Sequence, residues 1–214
     1  MRSPRTLAAV GSAGLAFLGL VILSGPIWQP GFDPLGSYGS ELALGHNGWL
    51  MTLAFVIGGL GVYALAAAIW PALRPSGMRW SGIALLIVAG TALLASAAVP
   101  IGPHRPGLHE FVGLGGFVSM LLAVLMLSFA VSGQPSLASL SRPGRWAAGV
   151  SLVILIVTVA LASPGGDAPA RPLDDYAGLL QKLSIAPWLA WLLAVGYRLA
   201  GNHPLAIEMA PPAS

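Results

Sequence analysis

Asn47-Gly48-Trp49-Leu50-Met51-Thr52-Leu53-Ala54-Phe55-Val56-Ile57-Gly58-Gly59-Leu60-Gly61-Val62-Tyr63-Ala64-Leu65-Ala66-Ala67-Ala68-Ile69-Trp70 contains no Asp, Glu, Lys or Arg. A helix rises about 1.5 Å per residue, so about 20 such residues cross the roughly 30 Å hydrocarbon core of a bilayer. This stretch is long enough to do so, and it is apolar on every side rather than along one stripe. Lipid tolerates that arrangement; water does not.

Five further segments have the same character. The spans are expected at about Leu7–Ile27, Asn47–Trp70, Trp80–Val99, Leu108–Val131, Trp146–Ser163 and Leu179–Ala200. Between them stand Pro30 and Pro34, Pro71 and Pro75, Pro100 and Pro103, Pro135 and Pro143, Pro164 and Pro169. Proline interrupts a helix, so these pairs are assigned to loops. Composition agrees: 56% of the 214 residues are hydrophobic and only 8% are charged, and mean hydropathy is +0.82. A soluble domain carries about a quarter of its residues as charges. The expected fold is therefore all-α: one six-helix transmembrane domain over residues 1–200, with a short Pro- and Ala-rich tail over 201–214.

Arg2 and Arg5 precede the first apolar run. That run exceeds a signal-peptide core of roughly 7–15 residues and lacks an obvious cleavage site, so it reads as an uncleaved span. Arg2, Arg5, Arg74, Arg79, Arg142, Arg145 and Arg198 fall in one set of loops and helix ends. Arg105, Arg171 and Lys182 fall in the other. The positive-inside rule places the first set, and both termini, in the cytoplasm of a multi-pass cell-membrane protein. Six of the seven acids (Asp33, Glu41, Glu110, Asp167, Asp174, Asp175) then lie outside, and Glu208 inside. Trp28, Trp49, Trp70, Trp80, Trp146, Trp188 and Tyr197 are placed near span ends, as an interfacial belt.

The net charge of +3 comes from ten scattered basic residues with no basic run. Nucleic acid is not an expected partner; membrane lipids are, and a membrane-protein partner or a second copy is compatible. No cysteine is present, which excludes disulfides and thiolate chemistry. No span carries a charge near its midpoint, against an ion-coupled pump. Gly58, Gly59 and Gly61 in the second span, and Gly113, Gly115, Gly116 and Ser119 in the fourth, are read as helix contacts. A channel lining is the other reading.

Polar residues collect on the non-cytoplasmic side. The second, fourth and sixth spans all begin there, each with a polar pair: His46-Asn47, His109-Glu110 and Gln181-Lys182. Three positive helix ends, with Arg105 and Lys182 nearby, would favour an anionic headgroup. Ordinary capping of the helix ends gives the same pattern. His46, His104, His109 and Glu110 are possible metal ligands by type. However, no H-E-x-x-H occurs, because Gly113 stands where the second histidine would be. No cofactor is expected, and bis-histidine haem has little support because His46 and His109 sit at helix ends. An acid–base or hydrolytic site would draw on His109, Glu110, His46 and Asp33, with Ser37 or Ser40 as nucleophile. No G-x-S-x-G elbow supports this.

Several of these residues also carry a resemblance. They are the Asp33-Pro34 turn, the stretch from Ser37 to Leu44, Pro100, His109, and Gly178-Leu179-Leu180-Gln181-Lys182-Leu183. Together they resemble the uncharacterised bacterial and archaeal six-span membrane family catalogued as domain of unknown function nine-nine-eight. The resemblance covers nearly the whole chain and implies a six-helix bundle with polar motifs on the outer side. It implies no activity. A distant likeness to eukaryotic six-span proteins linked to lipid distribution points faintly to lipids. The Pro- and Gly-rich second outer loop departs from the family pattern and leaves His104 without an implied role.

Three functions follow as alternatives. One is a lipid- or isoprenoid-handling protein with a site formed by His46, Asn47, His109, Glu110, Gln181, Lys182, Asp33, Glu41 and Arg105. Another is a membrane enzyme acting on a lipid-linked substrate. The last is a non-catalytic subunit or scaffold.

Overall fold

Ser3 opens the first helix by accepting a hydrogen bond from Thr6 N at 3.3 Å, and Pro4 takes the first helical position, where a missing N–H costs nothing. In the computed structural model, which describes residues 3–99, 101, 107–162 and 171–201, the chain forms helices α1 (Pro4–Leu23), α2 (Gly25–Trp28), α3 (Trp49–Ala72), α4 (Gly77–Ala98), α5 (Leu108–Ala130), α6 (Ser141–Leu161) and α7 (Ala177–Ala200). Among the described residues, all but α2 belong to segments long and apolar enough to span a membrane, six in number. The protein is an all-helical integral membrane protein.

The spans form a closed ring. Each packs on the next (α1 on α3, then α4, α5, α6 and α7), and α7 returns to α1. The α1–α3 seam is a backbone contact. A Cβ on Gly11 would lie 2.8 Å from Gly61 O, and one on Gly14 would lie 2.8 Å from Ile57 O. Close approach of this kind is how helices associate in lipid. All three α3 glycines serve it, with Gly58 against Leu18 and Gly59 against Gly90 of α4. The same expectation fails for two residues of α5. Gly113 and Gly115 have nothing within 4 Å of a would-be Cβ, and only Gly116 meets a neighbour, Ala92.

Other expectations need correcting at the helix ends. The first span breaks at Ser24, whose hydroxyl bonds Leu20 O at 2.7 Å, and Pro26 begins a separate turn. Pro71 and Pro143 lie inside helices rather than in loops. Pro143 sits in the first turn of α6, where N–H groups have no helical acceptor to lose. Pro71 lies in the last turn of α3, so little helix follows it. Trp188 is not interfacial: it is 5% exposed and packs edge-on against Phe117 within the main core. Trp191 is buried beside it and donates to Leu140 O at 2.8 Å. Trp49, Trp80, Trp146 and Tyr197 are exposed near helix ends, as a belt requires.

The helix ends define two faces. One carries the loops after α2, α4 and α6 and is called here the polar-loop face. The other carries Arg74, Arg79, Arg142, Arg145 and Arg198 and is called the arginine face.

Candidate functional site: a lid on the polar-loop face

The chain between α2 and α3 does not stand away from the bundle. It folds over it as a lid, anchored by Leu42, which is 0% exposed and packs with Leu18, Ile22, Met51 and Phe55. Gly31 turns the chain at φ +81°, a conformation open to glycine. Asp33 then accepts from Leu35 N at 2.9 Å, making an Asx turn. A 3-10 turn follows at Gly39–Leu44, with Glu41 accepting from Tyr38 N at 3.2 Å.

The lid meets the start of α7 almost entirely through its carbonyls. Gly178 N donates to Gly36 O at 3.0 Å and Leu179 N to Leu35 O at 2.8 Å. Lys182 Nζ donates to Pro34 O at 2.9 Å, Gly178 O at 3.1 Å and Ser37 O at 3.2 Å. An ammonium has three protons, so this set accounts for all of them. Its charge also sits 5.2 Å from the centre of the Phe32 ring. Gln181 Oε1 accepts from Gly39 N at 2.7 Å. Gly178 permits the seam, because a side chain there would run into the Leu35 and Ser37 carbonyls.

The far end of the lid is tied to α2. Asn47 Nδ2 donates to Trp28 O at 2.6 Å, and Asn47 N donates to Gln29 Oε1 at 3.2 Å. His46 beside it is exposed. Tyr38 lies near charged groups of the loop between α6 and α7. Burial is the main cause of a phenol pKa above its ordinary value. The carboxylates of Asp174 and Glu41 raise it further, and Arg171 opposes them. Asp174 accepts from Arg171 N at 2.8 Å, while the Arg171 guanidinium bonds Val159 O and Ala162 O at the end of α6.

His109 lies in a different environment. It is 6% exposed, 6.3 Å from the Phe55 ring, with Nδ1 2.8 Å from Val99 O. A carbonyl can only accept, so Nδ1 carries the proton. The imidazole therefore joins the end of α4 to the start of α5. Glu110 is exposed. His104 and Arg105 lie outside the described residues.

The structure thus brings Asp33, Glu41, Gln181 and Lys182 to one seam and Asn47 to the other end of the same lid. His109 is engaged with Val99 and Phe55 instead. Among the described residues, no three His, Asp or Glu side chains form a metal-ligand group. Ser37 meets Lys182 through its carbonyl.

Two participants carry no sequence signal of their own. Gln29 is a lone polar residue beside a proline, yet it is buried and accepts the α3 entry. The carbonyls of Pro34, Leu35, Gly36 and Ser37 are main chain, which residue type does not announce. On the arginine face, Arg79 is more than a topology marker. It is buried, donates to Leu73 O at 3.0 Å, and lies 4.3 Å and 5.2 Å from the Trp70 and Trp80 rings. Tryptophans flanking an arginine across a short turn were the available signal.

The chain is similar to a UPF0324 membrane protein of Caulobacter vibrioides, at 30% identity over 186 residues. The match takes in 86% of this chain but only 38% of that protein's length. No solved structure matches. The model of the family described as "Protein of unknown function (DUF998)" matches residues 11–198, and with six spanning helices over that same extent the chain belongs to this family of membrane proteins.

Proposed function

We propose that this protein is a non-catalytic membrane component, a scaffold or subunit, with its polar lid serving to lock the bundle rather than to perform chemistry. One observation carries this reading. The three protons of Lys182 are all donated to main-chain carbonyls. A general acid, base or anion clamp needs a free polar atom facing its substrate. Gln181, Asn47, Glu41 and Asp33 are likewise bonded to backbone, as capping demands. The positive-inside rule would put the lid outside and both termini in the cytoplasm of a cell membrane.

The lipid- or isoprenoid-handling reading is the rival. It is favoured by the exposed apolar side chains of Ile27 in α2 and Leu44 in the lid, and by exposed His46 and Glu110. Binding of an isoprenyl phosphate to the purified chain in nanodiscs separates the two. The scaffold reading expects the same weak retention for the wild type and for His46→Ala/Glu110→Ala, with a membrane-protein partner recovered by crosslinking in native membranes. Saturable binding that the double substitution abolishes, at an unchanged melting temperature, would overturn it in favour of the lipid reading.

A further inference from the structure

His109 uses only one of its two ring nitrogens. Nδ1 is spent on Val99 O, which leaves Nε2 as a lone-pair acceptor. Nothing among the described residues donates to it, although the side chain is buried. α4 stands between α3 and α5 in the ring. An imidazole of α5 that meets Phe55 of α3 therefore points across the inside of the bundle.

Ser96 of α4 is in the same condition. It is 7% exposed, and its hydroxyl has no partner among the described residues. It lies about one turn before Val99 and about two turns after buried Ala89, on the face that α4 turns to the core. Buried polar groups are almost always hydrogen-bonded, so two exceptions at one place call for a reason.

Two contacts fix the register of α4 on α5. A Cβ on Gly116 would lie 2.5 Å from Ala92 Cβ, and His109 meets Val99. Ser96 and Gly113 come level between them. Gly113 stands about two, three and four turns before Met120, Val124 and Leu127, all buried, so it too faces inward. Yet nothing lies within 4 Å of a Cβ built there. Open space therefore lies inside the bundle at this level. Leu93 and Ile185 agree: both pack against the main core and against the Leu42 cluster, and both are still partly exposed.

These groups select a chemistry. Nε2 must be given a proton, whereas the serine hydroxyl donates or accepts. One alcohol O–H can donate to Nε2 and accept from Ser96, and its apolar remainder suits walls made by Leu93, Phe117 and Ile185. A charged head is poorly matched among the described residues. Lys182 has given its protons to carbonyls, and Arg171 bonds Val159 O and Ala162 O.

We propose that this space binds one long-chain alcohol, its hydroxyl between Ser96 Oγ and His109 Nε2 and its chain running past Gly113 toward Phe117. The site needs neither reading of the lid, and binding there requires no reaction.

Photolabelling of the purified full chain in nanodiscs, with a long-chain primary alcohol that carries a diazirine, tests it. Wild type should be labelled saturably, with the adduct on α4 or α5 near Ser96 and Gly113. The unlabelled alcohol should compete. Its methyl ether, which cannot donate to Nε2, should compete about tenfold less well, the size of one buried hydrogen bond. Ser96→Ala removes a hydroxyl that bonds nothing in the protein, so it should melt like wild type while its affinity falls roughly tenfold. Gly113→Leu fills the space, leaves both polar groups, and should abolish the saturable label. Equal competition by the ether, or a Ser96→Ala protein labelled like wild type, would overturn the proposal, because apolar contact alone would then hold the alcohol. Labelling that never saturates, or that Gly113→Leu leaves unchanged, would place the alcohol in the surrounding lipid and overturn it as well. Should Gly113→Leu fail to fold, Ser96→Ala and the ether decide the matter.

Discussion

Replacing Lys182 by Met removes a charge and three hydrogen bonds while keeping most of the side-chain volume. The Gly178 carbonyl is the fourth residue back in the same helix, so it keeps its helical partner. The Pro34 and Ser37 carbonyls, 2.9 and 3.2 Å from Nζ, lose theirs. A bond from a charged donor contributes about 1.5–3 kcal/mol when buried. Lys182 is half-buried, so about 1–1.5 kcal/mol each is the defensible figure, and the pair amounts to about 2–3 kcal/mol. Relief of lysine desolvation returns part of this, and loss of the Phe32 contact removes about 0.5 kcal/mol more. The expected net cost is about 2 kcal/mol. For a chain of this size that corresponds to a fall of roughly 4–8 °C in melting temperature. Differential scanning fluorimetry on intrinsic tryptophan in detergent or nanodiscs measures it. A Lys182→Met protein melting within a degree of wild type would refute the lid as a structural clamp and leave Lys182 for another task.

Gly61→Leu should prevent α1 and α3 from closing, because even a Cβ there would lie 3.0 Å from Gly11 O; loss of folded protein on size exclusion is the readout. Gly115→Ala, with open space around it, should be neutral or gain up to about 1 kcal/mol from helix propensity in a melt. Tyr38 should titrate above the ordinary phenol range, for the burial and carboxylate reasons given. A raised folded-state pKa means that the unfolded chain loses this proton first, so stability falls as pH climbs above about 10; Tyr38→Phe should flatten that fall and remove one late step from the ultraviolet tyrosine titration. The chain has no cysteine, so single substitutions report orientation cleanly: an impermeant maleimide should label His46→Cys in intact cells and Ser136→Cys only after permeabilisation.

The spans were legible because uninterrupted apolar runs leave lipid as the only compatible solvent. Their ends were less so, since proline acts through position: Pro143 is harmless in a first turn, whereas Pro26 follows a break that Ser24 makes. Trp188 shows the limit of reading aromatic residues as belt markers. Its place eleven residues into α7 puts it at mid-depth, and Phe117 of another helix completes its packing. The polar pairs at Asn47 and Lys182 were visible as helix starts, but their partners were not. Lys182 bonds carbonyls 145 and 148 residues earlier, and a carbonyl looks alike under every side chain. His109 was misleading for a related reason. A histidine at a helix start reads as a surface ligand until Val99 O and Phe55 are known to enclose it.

The two halves of the α7 seam should act as one device, and that claim can be separated from the effect of either half. Gly178 and Lys182 lie one helical turn apart and both face the carbonyls of residues 34–37. Gly178→Ala would push a methyl group into the Leu35 and Ser37 carbonyls. The lid must then move back, which stretches the Lys182 bonds without touching its charge. Once the lid has moved, removing Lys182 has less left to remove. A double-mutant cycle with Lys182→Met should therefore be strongly sub-additive, with a coupling of about 1–2 kcal/mol, inside the range found for residues sharing one network. Additive losses would mean that the glycine and the lysine stabilise different things. The lid would then be a loop resting on the bundle, and the reason for placing a cation at the positive end of α7 would have to be sought in a ligand.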